Sequence, residues 1–133
     1  MIVVDATVVA GFLFSADQFH AQADAVRGKD ADWHCPELVF SEVRSVGMKH
    51  HQKGDTLDAT IARCNLTAAT VSVYRMHSHS VLHAAEEGSV WVYDAEYVAL
   101  ARQLQVKLVT TDEKILKQFP AVSVSPSAFP KAS

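Results

Sequence analysis

The sequence has few of the features that mark secreted, membrane-spanning or strongly basic proteins. Its two cysteines, Cys35 and Cys64, form no zinc or redox motif and are too few for a disulfide framework. No stretch approaches about eighteen uncharged apolar residues and no basic leader precedes the first strand candidate, so we expect a cytoplasmic protein without membrane contact. Twelve basic against fifteen acidic residues give a net charge of −3, which argues against nucleic-acid binding through bulk charge.

The chain also lacks internal repeats, linkers and low-complexity tracts. Its 133 residues suit one domain that buries about two-thirds of its unfolded surface. We expect this domain to span residues 1–126 and to be followed by a loose tail at 127–133.

Apolar runs that alternate between strand and helix character predict the fold class. Strands are predicted at 1–4, 33–35, 69–74, 107–110 and 122–124, and helices at 6–14, 17–27, 37–50 and 78–87, with two more after Gly54 and around Asp94. Pro36 is placed at the first position of the 37–50 helix, Asp55 at a helix cap, and Gly28 and Gly88 at helix ends. The order indicates an α/β three-layer domain with a mostly parallel central sheet flanked by helices.

Four acidic residues occupy unusual positions in this pattern. Asp5 and Asp112 each follow a buried strand, and parallel strands deliver such residues to one edge of the sheet. Glu42 and Asp94 lie on the apolar faces of two predicted helices, where an unpaired charge is costly and requires a cation. Oxygen-rich sites of this kind suit Mg²⁺ or Mn²⁺, which bind phosphate and activate water. The plainer alternative for Glu42 and Asp94 is a solvated helix flank or a cap.

Four motifs resemble those of the PIN-domain family, and of its small VapC-like toxins in particular. They are M-I-V-V-D-A-T at the start, P-E-L-V-F-S-E-V around Glu42, Y-D-A-E-Y-V-A-L-A from Tyr93 and L-V-T-T-D ending at Asp112. The last two in that order are the most specific. Together the motifs cover essentially the whole domain, although 49–89 matches in pattern only.

This resemblance implies a PIN-like fold and a metal-dependent endoribonuclease. Its site would consist of Asp5, Glu42, Asp94 and Asp112, with Thr7 and Thr111 as supporting hydroxyls. Asp5, Asp94 and Asp112 would hold Mg²⁺ or Mn²⁺. The implied partners are an RNA substrate, a VapB-like antitoxin that presents an arginine to the acids, and a second copy of the chain in a homodimer.

Other residues supply weaker candidates. Arg44, Lys49 and Lys53 are candidate RNA contacts beyond Glu42. His77, His79 and His83 have spacing that suits a transition metal, but no fourth ligand is evident. Trp91, Tyr93 and Tyr97 are expected to pack in the fold, with base stacking as the alternative.

Competing functions are separated by single residues. A phosphoacceptor receiver domain has paired acids after its first strand, and a haloacid-dehalogenase-like phosphatase has a second aspartate where Thr7 stands here. The main alternative is a catalytically weak PIN-like module that binds RNA or protein.

Overall fold

The computed structural model describes residues 1–130, and within that range the chain forms one five-stranded parallel sheet with the order β3-β2-β1-β4-β5. The strands are β1 (Ile2–Val4), β2 (Trp33–Pro36), β3 (Ser72–Tyr74), β4 (Leu108–Val109) and β5 (Ser123–Val124). Every neighbouring pair is parallel. The predicted α/β three-layer class with a parallel central sheet is therefore confirmed.

β1 lies at the centre of the sheet because its side chains are apolar on both faces. Ile2, Val3 and Val4 are all buried, as a strand covered by helices on both sides requires. Val3 pairs with His34 on one side and Leu108 on the other. The Asp5 N–H donates to the Val109 carbonyl at 3.2 Å. The carboxyl ends of β1 and β4 therefore lie side by side at one edge of the sheet.

The helices flank the sheet and connect successive strands. They are α1 (Ala6–Leu13), α2 (His20–Lys29), α3 (Val39–Gln52), α4 (Leu57–Asn65), α5 (Thr67–Thr70), α6 (Ser78–Gly88), α7 (Val92–Leu104) and α8 (Glu113–Gln118), with a 3₁₀ turn at Pro126–Ala128. α7 contributes Tyr97, Val98, Leu100 and Ala101 to the core and packs against β1, β2 and β4. This packing fixes the first turn of α7 relative to the carboxyl ends of the central strands.

Several predicted boundaries are wrong, each because a local contact favours another residue. Pro36 ends β2 opposite Tyr74, and α3 begins only at Val39. Thr56 caps α4 in place of Asp55, since its hydroxyl accepts from the Ala59 N–H at 3.1 Å.

Of the two glycines predicted at helix ends, Gly28 lies inside its helix, whereas Gly88 does end α6. Gly28 is within α2, which continues to Lys29. Gly88 is the last residue of α6, and the left-handed position falls on Ser89 at φ 51°. Gly88 is required by packing, since a Cβ atom there would lie 2.3 Å from the Phe119 ring.

The first part of the proposed tail is described. Ser125 caps the 3₁₀ turn, and Lys29 Nζ donates to the Phe129 carbonyl at 3.2 Å, so residues up to Phe129 contact the domain. Residues 131–133 of the predicted loose tail lie outside the described residues, and the domain boundaries stay a prediction. Within residues 1–130, no helix has the length and apolar composition needed to cross a membrane.

Candidate active site

Asp5 links the central strand to the first helix. Its carboxylate caps α1 by accepting from the Val8 N–H at 3.1 Å. It also accepts from the Thr7 hydroxyl at 2.6 Å and from the Thr110 hydroxyl. The side chain is buried, with 7% of the residue exposed. Asp5 is thus held rigidly at the carboxyl end of β1.

Asp112 has the corresponding position after β4. It caps α8 by accepting from the Ile115 N–H at 2.9 Å, while its own N–H donates to Thr110 Oγ1 at 3.0 Å. Thr110 therefore ties Asp5 to Asp112, a role that sequence reasoning missed. Thr110 is the last residue of the L-V-T-T-D strand before the loop, which is the signal that could have identified it. Thr7 and Thr111 meet at 2.8 Å between their hydroxyl oxygens.

Glu42 and Asp94 approach the same edge from the sides of α3 and α7. The hydroxyl of the buried Tyr97 donates to Glu42 Oε1 at 2.7 Å, which orients that carboxylate. Asp94 is in the first turn of α7, and among residues 1–130 its carboxylate makes no hydrogen bond or ion pair with a protein group. Packing was the expected role of Tyr97, and its contact with Glu42 was missed.

A cleft of about 130 Å³ brings the predicted site residues together. It is lined by Asp5, Ala6, Thr7, Glu42, Asp94, Tyr97, Thr111 and Asp112. All four acids and both supporting threonines therefore line one cleft at the sheet edge. Their catalytic and metal-binding roles stay predictions.

The electrostatics of the cleft are those of crowded carboxylates. Burial raises the pKa of Asp5, and the charge of Asp112 adds to this effect, while the hydrogen bonds from Thr110, Thr7 and Val8 oppose it. Burial also raises the pKa of Glu42 and of Asp94. The charges of Asp112 and Asp5 raise the pKa of Asp94 further, and Lys114 only partly offsets them. Among the described residues no lysine, arginine or histidine lines the cleft, and Lys114 acts on Asp94 from outside it.

Comparison with known proteins places this arrangement in a family. The sequence-family model of the PIN domain matches residues 2–121 of this chain. The chain belongs to the PIN-domain family. Ribonuclease VapC3 of Pyrobaculum aerophilum is 28% identical over 127 residues, which cover 91% of this chain and 96% of the relative.

Solved structures share the fold of this PIN domain at 18% identity. PAE2754 of Pyrobaculum aerophilum has a TM-score of 0.73 and covers 95% of this chain and 89% of its own. A toxin-antitoxin complex from Klebsiella pneumoniae has a TM-score of 0.71, with 95% and 98% covered. VapC20 of Mycobacterium tuberculosis, a Sarcin-Ricin loop cleaving toxin, has a TM-score of 0.65, with 85% and 91% covered.

The donor set of this PIN domain fits a hard divalent cation. Carboxylate oxygens are the ligands that Mg²⁺ and Mn²⁺ prefer. In the described part of the chain, no group of three or more His, Cys, Asp or Glu side chains has the geometry of a metal site in this conformation. The acids line an open cleft, which suits a cation such as Mg²⁺ that keeps several water ligands.

The candidate RNA contacts separate into two groups. Lys49 and Lys53 line a second cleft of about 450 Å³, which shares Thr7 with the acidic cleft. Arg44 lines neither cleft, and its charge acts instead on the Cys64 thiol of α4, lowering a pKa that burial raises.

The remaining aromatic and histidine candidates lie outside the acidic cleft. Trp91 and Tyr93 are 79% and 63% exposed, so packing does not explain them. His79 and His83 line a larger cleft on α6 and α7, with ring centroids 4.6 Å apart. No third ligand joins them among the described residues, and Glu87 on the same face is paired with Arg102 at 2.6 Å. His77 lies outside that cleft.

Proposed function

We propose that this PIN domain is a Mg²⁺- or Mn²⁺-dependent endoribonuclease of the VapC toxin type. The observation that carries the proposal is the meeting of four carboxylates in one small cleft with too little positive charge to balance them. The ribonuclease name of the Pyrobaculum relative, which aligns over nearly its whole length, supports the same activity.

The chain's own residues have distinct roles in this proposal. Asp5, Asp94 and Asp112 hold the cation, and Glu42, oriented by Tyr97, completes or orients its ligand shell. Thr7 and Thr111 hold the loops after β1 and β4 together next to these ligands. The bound cation supplies charge for the scissile phosphate and lowers the pKa of the attacking water. Lys49 and Lys53 contact the RNA, and Arg44 adds long-range attraction.

Cleavage of single-stranded RNA by the purified protein tests the activity. The parent should cleave with Mg²⁺ or Mn²⁺, stop when EDTA is added and recover when the metal is restored in excess. Asp94→Asn should not cleave. Asp58→Asn is the matched control, because Asp58 is also an aspartate in the first turn of a helix but is exposed and remote from the cleft. Cleavage that continues unchanged in EDTA would rule out the metal-dependent mechanism. RNA binding without cleavage would favour the binding-module alternative.

Two protein partners belong to the same proposal. One is a VapB-like antitoxin, supported by the structural neighbour from a toxin-antitoxin complex. Its arginine would place a guanidinium against the acids, where a positive charge is lacking. The other is a second copy of this chain in a homodimer. Light scattering after size exclusion should give the dimer mass at micromolar concentration, and a monomer alone would contradict that part.

A further inference from the structure

The second cleft lies directly beside the acidic cleft. It is formed by the α1–α2 connection and the second half of α3, and Thr7 lines both clefts. On its acidic side the Thr7 hydroxyl bonds to Asp5 and Thr111. A single strand whose scissile phosphate lies at the acids can therefore place its next nucleotide in the second cleft by passing one threonine.

The second cleft differs from the acidic one in its available charges. Lys49 lies in the last turn of α3, Lys53 is the C-cap residue four positions later, and both line the second cleft. Asp17, on the opposite wall, has both oxygens occupied, since Oδ1 accepts from the Phe19 N–H and Oδ2 contacts His50 Nε2, each at 2.9 Å. Within residues 1–130 neither lysine forms an ion pair with a carboxylate. Asp55 also lines this cleft, but no ion pair joins it to either lysine among the described residues, so two ammonium groups remain available for an anion.

The Asp17–His50 pair, which lines the second cleft together with the lysines, is preorganised. Asp17 and His50 are each only 11% exposed in their side chains. The His50 ring stacks on Phe14 with 4.9 Å between centroids and 3° between planes. The cleft volume of about 450 Å³ lies in the range of sites for small organic ligands. Because the Asp17–His50 wall is ordered and two cations line the cleft, we expect a nucleotide to bind there in a defined position.

We propose that this cleft is a subsite for the nucleotide next to the scissile phosphate of single-stranded RNA. Lys49 and Lys53 hold the phosphate of that nucleotide, and the Asp17–His50 wall fixes the depth to which its base and ribose enter. The proposal rests on the endoribonuclease function and extends it, because it assigns a defined place to a neighbour of the cleaved bond.

Cleavage of progressively shortened RNA tests the subsite. RNA oligonucleotides are shortened by one nucleotide at a time from each end of a mapped cleavage site, and kcat/KM is measured for the parent, Lys49→Ala, Lys53→Ala and Lys117→Ala. Lys117 is the matched control, an exposed lysine on α8 outside both clefts. For the parent, removing the nucleotide that fills the subsite should lower kcat/KM about tenfold. For the Lys49 and Lys53 variants the same truncation should have little further effect.

Binding without cleavage separates this inference from the function on which it rests. In EDTA, fluorescence anisotropy with a labelled single strand should show a shallower salt dependence for Lys49→Ala and Lys53→Ala, by about 0.7 in log–log slope for each lost phosphate contact. Lys117→Ala should match the parent. The subsite is refuted, while the nuclease stands, if the parent cleaves but kcat/KM falls no more in the Lys49 and Lys53 variants than in Lys117→Ala. The same holds if the Lys49 and Lys53 variants lose the same factor in kcat/KM on long and on shortened RNA. If the parent binds RNA with this lysine dependence but cleaves nothing, the nuclease proposal fails and RNA binding by the cleft stands. Affinity for acidic peptides but not for RNA would overturn the subsite in favour of a protein partner.

Discussion

The four acids of the cleft belong to two structurally different pairs. Asp5 and Asp112 follow the central strands and cap α1 and α8, so backbone N–H groups already bind their carboxylates. Glu42 and Asp94 lie on the sides of α3 and α7, and Asp94 has no protein donor among the described residues. The first pair therefore stabilises the fold as well as the cleft. Alanine substitution should therefore separate loss of activity from loss of stability only in the second pair.

The largest expected difference is in stability, between the Asp5→Ala and Asp94→Ala variants. Asp5→Ala removes a helix cap and leaves the fully buried Thr110 hydroxyl without its acceptor, which should destabilise the metal-free protein by about 2–3 kcal/mol. Asp94→Ala should be as stable as the parent or more so, since it removes a carboxylate that burial and its neighbours disfavour. Urea unfolding in EDTA at neutral pH measures both. Equal stability of the two variants would show that Asp5 has no structural role.

A smaller effect should separate two substitutions at Asp112. Asp112→Ala removes the cap of α8 and should cost about 1 kcal/mol. Asp112→Asn keeps a good capping group and should stay within about 0.3 kcal/mol of the parent. The same unfolding measurement applies, with RNA cleavage lost in both variants. If Asp112→Asn is as destabilised as Asp112→Ala, the charge at Asp112 stabilises the fold and does not strain it.

Tyr97→Phe probes the contact that orients the helix-side pair. The substitution removes the hydroxyl that donates to Glu42 and should lower stability by about 0.5–1 kcal/mol. Because this hydrogen bond lowers the pKa of Glu42, its loss should raise that pKa further and move the acid limb of the cleavage profile to higher pH. Tyr93→Phe is the matched control at an exposed tyrosine. An unshifted profile for Tyr97→Phe would mean that Glu42 is oriented by other groups.

The smallest expected effect is the pH dependence of the stability of the metal-free protein. Asp94 and Glu42 have pKa values raised above their ordinary values of 3.8 and 4.5, so the folded state binds their protons more tightly than the unfolded state. The stability that these two carboxyl groups contribute is fully present below their ordinary pKa values. It is lost as pH rises through their raised pKa values. As pH rises from the ordinary value of 3.8 through the raised pKa of Asp94, the metal-free parent should therefore lose stability relative to Asp94→Asn. Unfolding midpoints measured at each pH give this difference, and a flat or opposite trend would contradict the raised pKa.

Sequence patterns predicted the sheet and the meeting of Asp5 and Asp112 because both follow from local rules. Apolar β-branched runs before Asp5 and Asp112 indicate buried strands, and parallel strands end at one edge. The Tyr97–Glu42 contact spans 55 residues, and no local pattern encodes it. α8 was missed because its six residues have too few turns for a periodic signal and Asp112 was interpreted only as a strand end.

The exposure of Trp91 and Tyr93 could not be predicted either. Both residues are large and aromatic and lie at the start of a helix with a strongly apolar face, so their residue type alone favours burial. In the fold, α7 turns its Tyr97 and Val98 inward and leaves Trp91 and Tyr93 in solvent. The direction in which the first turn of a helix presents its side chains depends on how the whole helix docks, which is a tertiary property.

Titration with Mn²⁺ tests the central claim, that the four acids act together on one divalent cation. The electron paramagnetic resonance signal of free Mn²⁺ is recorded as the parent, Asp94→Asn and Asp58→Asn are added. The parent and Asp58→Asn should remove Mn²⁺ from solution with equal affinity, and Asp94→Asn should bind at least about tenfold more weakly, a loss of about 1.4 kcal/mol. Equal binding by the parent and Asp94→Asn, or no binding by the parent, would contradict the account.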